Sequence, residues 1–297
     1  MVAGSILILN YFYVNTNGYK ARVGIQKFED VGHDLEIINF GSSHGMRSLD
    51  YGKLESRTFN FALPSQSLYY DYQLLNRYAG HLSDNCVVLI VLSYFSFGSN
   101  KVVVDSDNSR YYSLLSKKSI YDYSFSNYFK YKLFPIFTAK ESLFCIFNDK
   151  KSADDHIKMI SSNMYQENEL DDVGKKRADF IGRTVDAGNY KGNSEYLVKM
   201  IGLCRERKLI PIMVVTPYTR YFNSHVSKKP YYKEFYRIAD QVSKKYGVPF
   251  LDYSRDELFE DRTDLFMDAD HLNLKGRVMF TEILLKDIEK IDKETLR

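Results

Sequence analysis

The chain has 297 residues, enough for one large α/β domain with insertions or for two small domains. Its 44% hydrophobic and 27% charged shares are those of a globular protein and exclude disorder over most of its length. Forty-one basic side chains against 38 acidic give a formal charge of +3 with no Lys/Arg cluster, so a nucleic-acid partner is not expected.

Residues 5–13 (SILILNYFY) are apolar but far short of the ~20 residues that span a bilayer. No basic segment precedes them and no small-residue cleavage site follows. They suit a strand, a helix start, or the last turns of a membrane anchor, with Tyr and Phe at the interface. The N-terminal segment is therefore placed at 1–30, and 31–297 is read as a single domain. Residues 35–40 (LEIINF) form a short apolar run that ends in Gly41-Ser42-Ser43-His44, the pattern of a buried strand entering a tight turn. A second strand is expected at 57–63, stopped by Pro64. A helix follows over 65–82, with Leu68, Tyr72, Leu75 and Tyr78 at helical spacing and Ser65 or Ser67 as its cap.

Residues 86–92 (CVVLIVL) are apolar on both faces, as a central parallel strand requires. The stretch 97–190 breaks this rhythm and reads as one mostly helical insertion, the place where lids and substrate walls arise. Inside it, 133–137 (LFPIF) and 143–147 (LFCIF) suit either a local core or a surface that meets a partner or membrane. Regular alternation resumes with a helix at 193–207, a strand at 209–215, a helix at 229–246, a strand at 248–252 and a last helix at 274–292. The expected fold is a three-layer α/β/α sandwich around a parallel sheet. The 25 Tyr and 20 Phe belong mostly to its core, as do Cys86 and Cys204. With Cys145 they make an odd, widely spaced set of three that suggests neither a disulfide framework nor a zinc site.

Two short motifs carry chemistry. Gly41-Ser42-Ser43-His44-Gly45 follows the first central strand, where ligand sites of open α/β sheets gather. A serine there projects its hydroxyl into the crevice, with its N–H at a helix start that favours anions. Asp268-Ala269-Asp270-His271 precedes the last helix. An Asp three residues before a His can hold the imidazole, which then removes a serine proton. Taken alone, the first motif is an ordinary serine-rich turn and the second a helix cap. Other features are less pointed. Arg220 follows the 209–215 strand and suits an anionic acceptor, or is a plain surface residue. His44 either lines the pocket or lies behind it. His33, His81, His156 and His225 have no partner pattern and are expected at the surface.

Together the motifs resemble the SGNH/GDSL hydrolase family, over about 35–96 and 193–290. The resemblance implies Ser43 as nucleophile, His271 as general base and Asp268 as its orienting partner, and it excludes Asp270 from that role. The oxyanion donors it implies are the N–H groups of Ser43 and Ser65, with the Gln66 side chain as a further candidate. Ser42 stands where the family often has Asp. The family's third-block Asn is missing from Leu92-Ser93-Tyr94-Phe95-Ser96, and its second-block Gly from Phe61-Ala62-Leu63-Pro64-Ser65-Gln66-Ser67. Gly-Ser-Ser-His with Pro-Ser-Gln-Ser-Leu is similar to a branch of membrane-anchored SGNH-like proteins of the bacterial cell envelope. These include the D-alanyl transfer protein of teichoic acid loci and alginate or peptidoglycan O-acetylation proteins. That branch implies serine-dependent acyl transfer or ester hydrolysis on an envelope polysaccharide, with an acyl donor, a carbohydrate acceptor, a membrane anchor and no cofactor or metal. A cytoplasmic location stays open. Two other readings remain: a non-catalytic glycan-binding protein on the same scaffold, and a glycosyltransferase using Asp268 and Asp270 on a divalent metal.

Overall fold

A computed structural model describes residues 2–52, 57–99, 110–138, 146–148 and 164–291. The chain divides into two compact units, 1–31 with 102–159, and 32–101 with 160–297.

In the first unit the apolar N-terminal run forms helix α1 (Val2–Asn15) rather than a strand. Thr16 ends it and caps α2 (Asn17–Val23) by accepting from the Tyr19 N–H. Asn10 ties α1 to the 133–137 segment, donating to the Leu133 carbonyl at 3.2 Å and accepting from the Ile136 N–H at 3.0 Å. Of that segment, Ile136 is buried while Leu133 and Phe137 are exposed, so it is partly core and partly surface. Most of 143–147, including Cys145, lies outside the described residues, as does His156. Leu7, Ile8, Tyr11 and Phe12 of α1 are exposed. No helix among the described residues is long and apolar enough to cross a membrane.

The second unit is the expected α/β sheet. In chain order it runs β1 (Leu35–Phe40), α3 (Ser43–Ser48), β2 (Thr58–Asn60), α4 (Leu68–Tyr78), β3 (Leu82–Leu92), α5 (Leu170–Thr184), α6 (Tyr190–Glu206), β4 (Ile210–Val215), α7 (Arg220–Val226), α8 (Pro230–Tyr246), β5 (Phe250–Asp252) and α9 (Leu274–Lys290). All strand pairs are parallel, in the order β2-β1-β3-β4-β5. The path from β1 to β2 moves one way across the sheet, whereas β3 to β4 to β5 moves the other. Right-handed crossovers therefore send their helices to opposite faces. Accordingly α4 and α8 both pack on α6, while α3 packs on α9. Side chains alternate along the strands: Leu89 and Val91 of β3 and Ile212 and Val214 of β4 meet Phe280 and Leu284 of α9 in one core.

Two expectations change. The 57–63 strand shortens to three residues, although Phe61 and Leu63 still donate to the Asn39 and Gly41 carbonyls before Pro64 stops the chain. The 97–190 stretch does not act as one insertion. Residues 102–159 cluster with the N-terminal segment, while α5 joins the sheet unit by packing on α7. The cause is an apolar stripe on α5, buried at Leu170, Ala178 and Ile181, with Gly174 allowing close approach to the Tyr221 backbone.

Candidate active site

Four strand ends and one loop meet at the carboxyl edge of the sheet. After β1 the chain turns at Gly41, whose φ of 129° is open only to glycine; a Cβ there would lie 2.6 Å from the Val91 carbonyl oxygen. The turn delivers Ser43 as the first residue of α3, partly exposed, with its N–H among the first-turn donors that have no acceptor within the helix. Asp71 of α4 holds the turn from below, accepting from the Gly41 N–H at 3.0 Å. Burial pushes the Asp71 carboxyl up to about 7, despite its bonds from Gln66 and Gly41.

The opposite wall is the loop before α9. Asp268 Oδ1 accepts from the N–H groups of Asp270 (3.0 Å) and His271 (2.8 Å), which coils the loop around its own carboxylate. Thr219, after β4, donates from its hydroxyl to the Ala269 carbonyl at 2.7 Å. Asn273 caps α9 through the Gly276 N–H. His271, so held, places Nε2 2.9 Å from Ser43 Oγ and Nδ1 3.0 Å from Asp268 Oδ2. Ser43, His271 and Asp268 thus stand in one hydrogen-bonded line, the arrangement a Ser-His-Asp triad requires. Burial alone would lower the His271 pKa, but the Asp268 and Asp270 carboxylates overcome it and raise the imidazole to about 9.

The other candidate residues are placed differently. His44 is buried, 1% exposed, and lies beneath Ser43 rather than lining a pocket. Its Nδ1 is 2.6 Å from Ser93 Oγ and its Nε2 3.0 Å from Asp270 Oδ2. Burial lowers its pKa to about 4. Gln66 is buried too, and its amide nitrogen donates to the Phe61 carbonyl and to Asp71, so the side chain is not free to serve an oxyanion. Ser65 is exposed with φ of 55°, in a turn that Pro64 opens and the Gln66 N–H closes on Leu63. Arg220 is engaged by Asp261 at 3.1 Å and Glu167 at 3.6 Å rather than open to an anion. His225 does have a partner, Asp171 at 2.9 Å, and His33 stacks on His81.

Sequence reasoning set Asp270 aside as the orienting partner and gave no role to Arg177, Ser93 or Tyr218, whose hydroxyl lies 3.3 Å from His44 Nδ1. Asp270 is 3% exposed and accepts from Arg177 Nε of α5 at 2.7 Å; its Oδ1 lies 3.4 Å from His271 Nδ1. Burial pushes its carboxyl up, but Arg177 and the two histidines hold it well below the usual carboxylate range. The Asp268-Ala269-Asp270 carboxylates thus face imidazoles and a guanidinium. His44, Asp270 and His271 offer three ligand atoms within 4.8 Å of one another, yet Arg177 already sets a fixed positive charge on the carboxylate such a cation would share. A crevice of about 740 Å³ between α6 and α8, lined by Tyr190, Lys199 and Arg237 among others, contains none of these residues.

No family model and no curated protein matches the chain. Solved structures similar to it include a GDSL-like lipase from Bacteroides thetaiotaomicron (9% identity, 92% of this chain and 98% of that one, TM-score 0.43). Another is a lipase/acylhydrolase from Enterococcus faecalis (13% identity, 86% and 95%, TM-score 0.40). At such scores these likenesses add nothing to the reading of the site, which stands on the chain's own residues.

Proposed function

We propose that the protein is a serine-dependent acyl-transferring enzyme acting through Ser43, His271 and Asp268. The observation that carries this is the line from Asp268 Oδ2 through both His271 nitrogens to Ser43 Oγ, at 3.0 and 2.9 Å. In its neutral form His271 takes the Ser43 proton while Oγ bonds to the acyl carbon. It then gives that proton to the departing oxygen, leaving an acyl-enzyme. A second oxygen, of water or of an acceptor hydroxyl, reverses the sequence and frees Ser43. Asp268 fixes the ring with Nδ1 protonated. The Ser43 N–H at the start of α3, with the Ser65 N–H, is our choice of donors to the tetrahedral oxyanion. The acceptor on this reading is an envelope polysaccharide and the acyl donor a membrane acyltransferase, supported by the Gly-Ser-Ser-His and Pro-Ser-Gln-Ser-Leu resemblance alone.

A fluorophosphonate probe tests the assignment without knowledge of the substrate. Ser43 is expected to be the labelled residue, and Ser43→Ala to abolish labelling while the variant melts like the parent. Full labelling of Ser43→Ala would refute the reading.

A further inference from the structure

Beneath the triad runs a second chain of buried polar groups. Its hydrogen bonds have a fixed direction. The Asp270 carboxylate only accepts, so Arg177 Nε donates to it at 2.7 Å and His44 Nε2 at 3.0 Å. Neutral His44 then carries no proton on Nδ1, which accepts from the Ser93 hydroxyl at 2.6 Å. Ser93 Oγ in turn lies 3.3 Å from Ser42 Oγ, next to the nucleophile. One end of the chain is α5 and the other is the nucleophile turn. Its middle member also reaches the base: Asp270 Oδ1 is 3.4 Å from His271 Nδ1. That is too long for a good N–H···O bond, so Asp268 keeps the bond and Asp270 acts by charge.

We infer that Asp270, clamped by Arg177 and His44, is a positioning residue for the His271 base, and that Arg177 governs how much of its negative charge His271 feels. This rests on the reading of Ser43 and His271 as nucleophile and base. Asp270 has no contact with Ser43 to make; its three partners are the two imidazoles and the guanidinium. Asp268 and Asp270 from its own loop and His44 from α3 lie directly around His271; behind them Arg177 of α5 bonds Asp270, and the Tyr218 hydroxyl, after β4, lies 3.3 Å from His44 Nδ1. Arg47 of α3 faces the same two carboxylates. Of the two arginines, it is Arg177 that bonds directly to Asp270, so its removal changes the field on His271 without touching the triad.

The test is the pH dependence of fluorophosphonate labelling of the full chain, from pH 6 to 10. Asp270→Asn removes a carboxylate beside His271 and is expected to move the labelling midpoint down by about one unit or more. Arg177→Gln uncovers that carboxylate and should move the midpoint up. Arg177→Lys keeps the charge and is expected to stay near the parent. A purely structural role would slow labelling in every variant and leave the midpoints together. Coincident midpoints in folded variants therefore overturn the inference; if Asp270→Asn does not fold, Arg177→Gln against Arg177→Lys decides alone. Ser43→Ala run in parallel separates the failures. Labelling that survives in it sinks the triad, whereas its loss with unmoved midpoints leaves the triad and removes only the role of Asp270.

Discussion

His44 and His271 stand with ring centres 4.7 Å apart, yet their surroundings drive them to opposite protonation states. Burial keeps His44 neutral down to about pH 4, while two carboxylates keep His271 protonated up to about pH 9. At neutral pH the resting ring therefore donates to Ser43 Oγ and cannot take its proton. Ser43 labelling in the parent is accordingly expected to rise with pH along a single limb near 9, measured as a second-order rate constant. Asp268→Asn should do more than shift this limb. It exchanges the acceptor that fixes the Nδ1 proton for an amide able to donate, so the wrong tautomer accumulates and the rate falls by roughly 10⁴-fold. A drop below tenfold would count against Asp268 as the orienting group.

Arg177 reaches the site only because α5 lies close on α7. Gly174 sits one turn before it, and a Cβ at that position would stand 2.6 Å from the Tyr221 carbonyl oxygen. Alanine gains about 1 kcal/mol in helix propensity over glycine. Forcing two backbones apart typically costs about 1–3 kcal/mol, so the clash outweighs the gain. Gly174→Val, which adds bulk without that propensity gain, is expected to lower the melting temperature and to slow Ser43 labelling together. An unchanged melting curve would show that α5 is free to shift. The strands and long helices around this contact were legible in the sequence. Residues 35–40, 209–215 and 229–246 are bounded by apolar runs, Gly41 and Gly247, and their ends moved by at most a residue. The Ser43–His271–Asp268 juxtaposition was legible because the Asp and His are three apart in one loop and the serine sits in a glycine turn. Arg177 was not legible, because nothing in an amphipathic helix marks which of its basic residues is turned inward. Asp270 was set aside by spacing alone, although a buried carboxylate beside a buried imidazole needs neither position nor motif to act. His44 was left open between pocket and interior, and it took the Ser93 and Asp270 contacts to decide.

The two histidines also shape the stability of the whole molecule. An unfolded histidine titrates near 6.5. Folded His44 takes its proton only near 4, so acidification from 6.5 to 4 protonates the unfolded chain first and removes stability. Folded His271 holds its proton to about 9, so its contribution is complete below 6.5 and is lost as pH rises to 9. A shift of two units or more is worth about 3 kcal/mol. From these two groups, chemical-denaturation stability is expected to peak between pH 6 and 7 and to fall on both sides, by up to a few kcal/mol. A curve still rising at pH 9 would mean His271 is not the charged partner described. Maximum stability and maximum Ser43 reactivity then fall at different pH.

The smaller unit is built from two stretches that bracket β1 to β3 in the chain. Its internal ties are long: Asn10 of α1 bonds across 123 residues to Leu133. A ribosome adding about 5–20 residues per second needs roughly 6–25 s to cover that distance. During that interval β1 and β3 are already available to pair, while the first helix to be synthesised still waits for the segment it will grip.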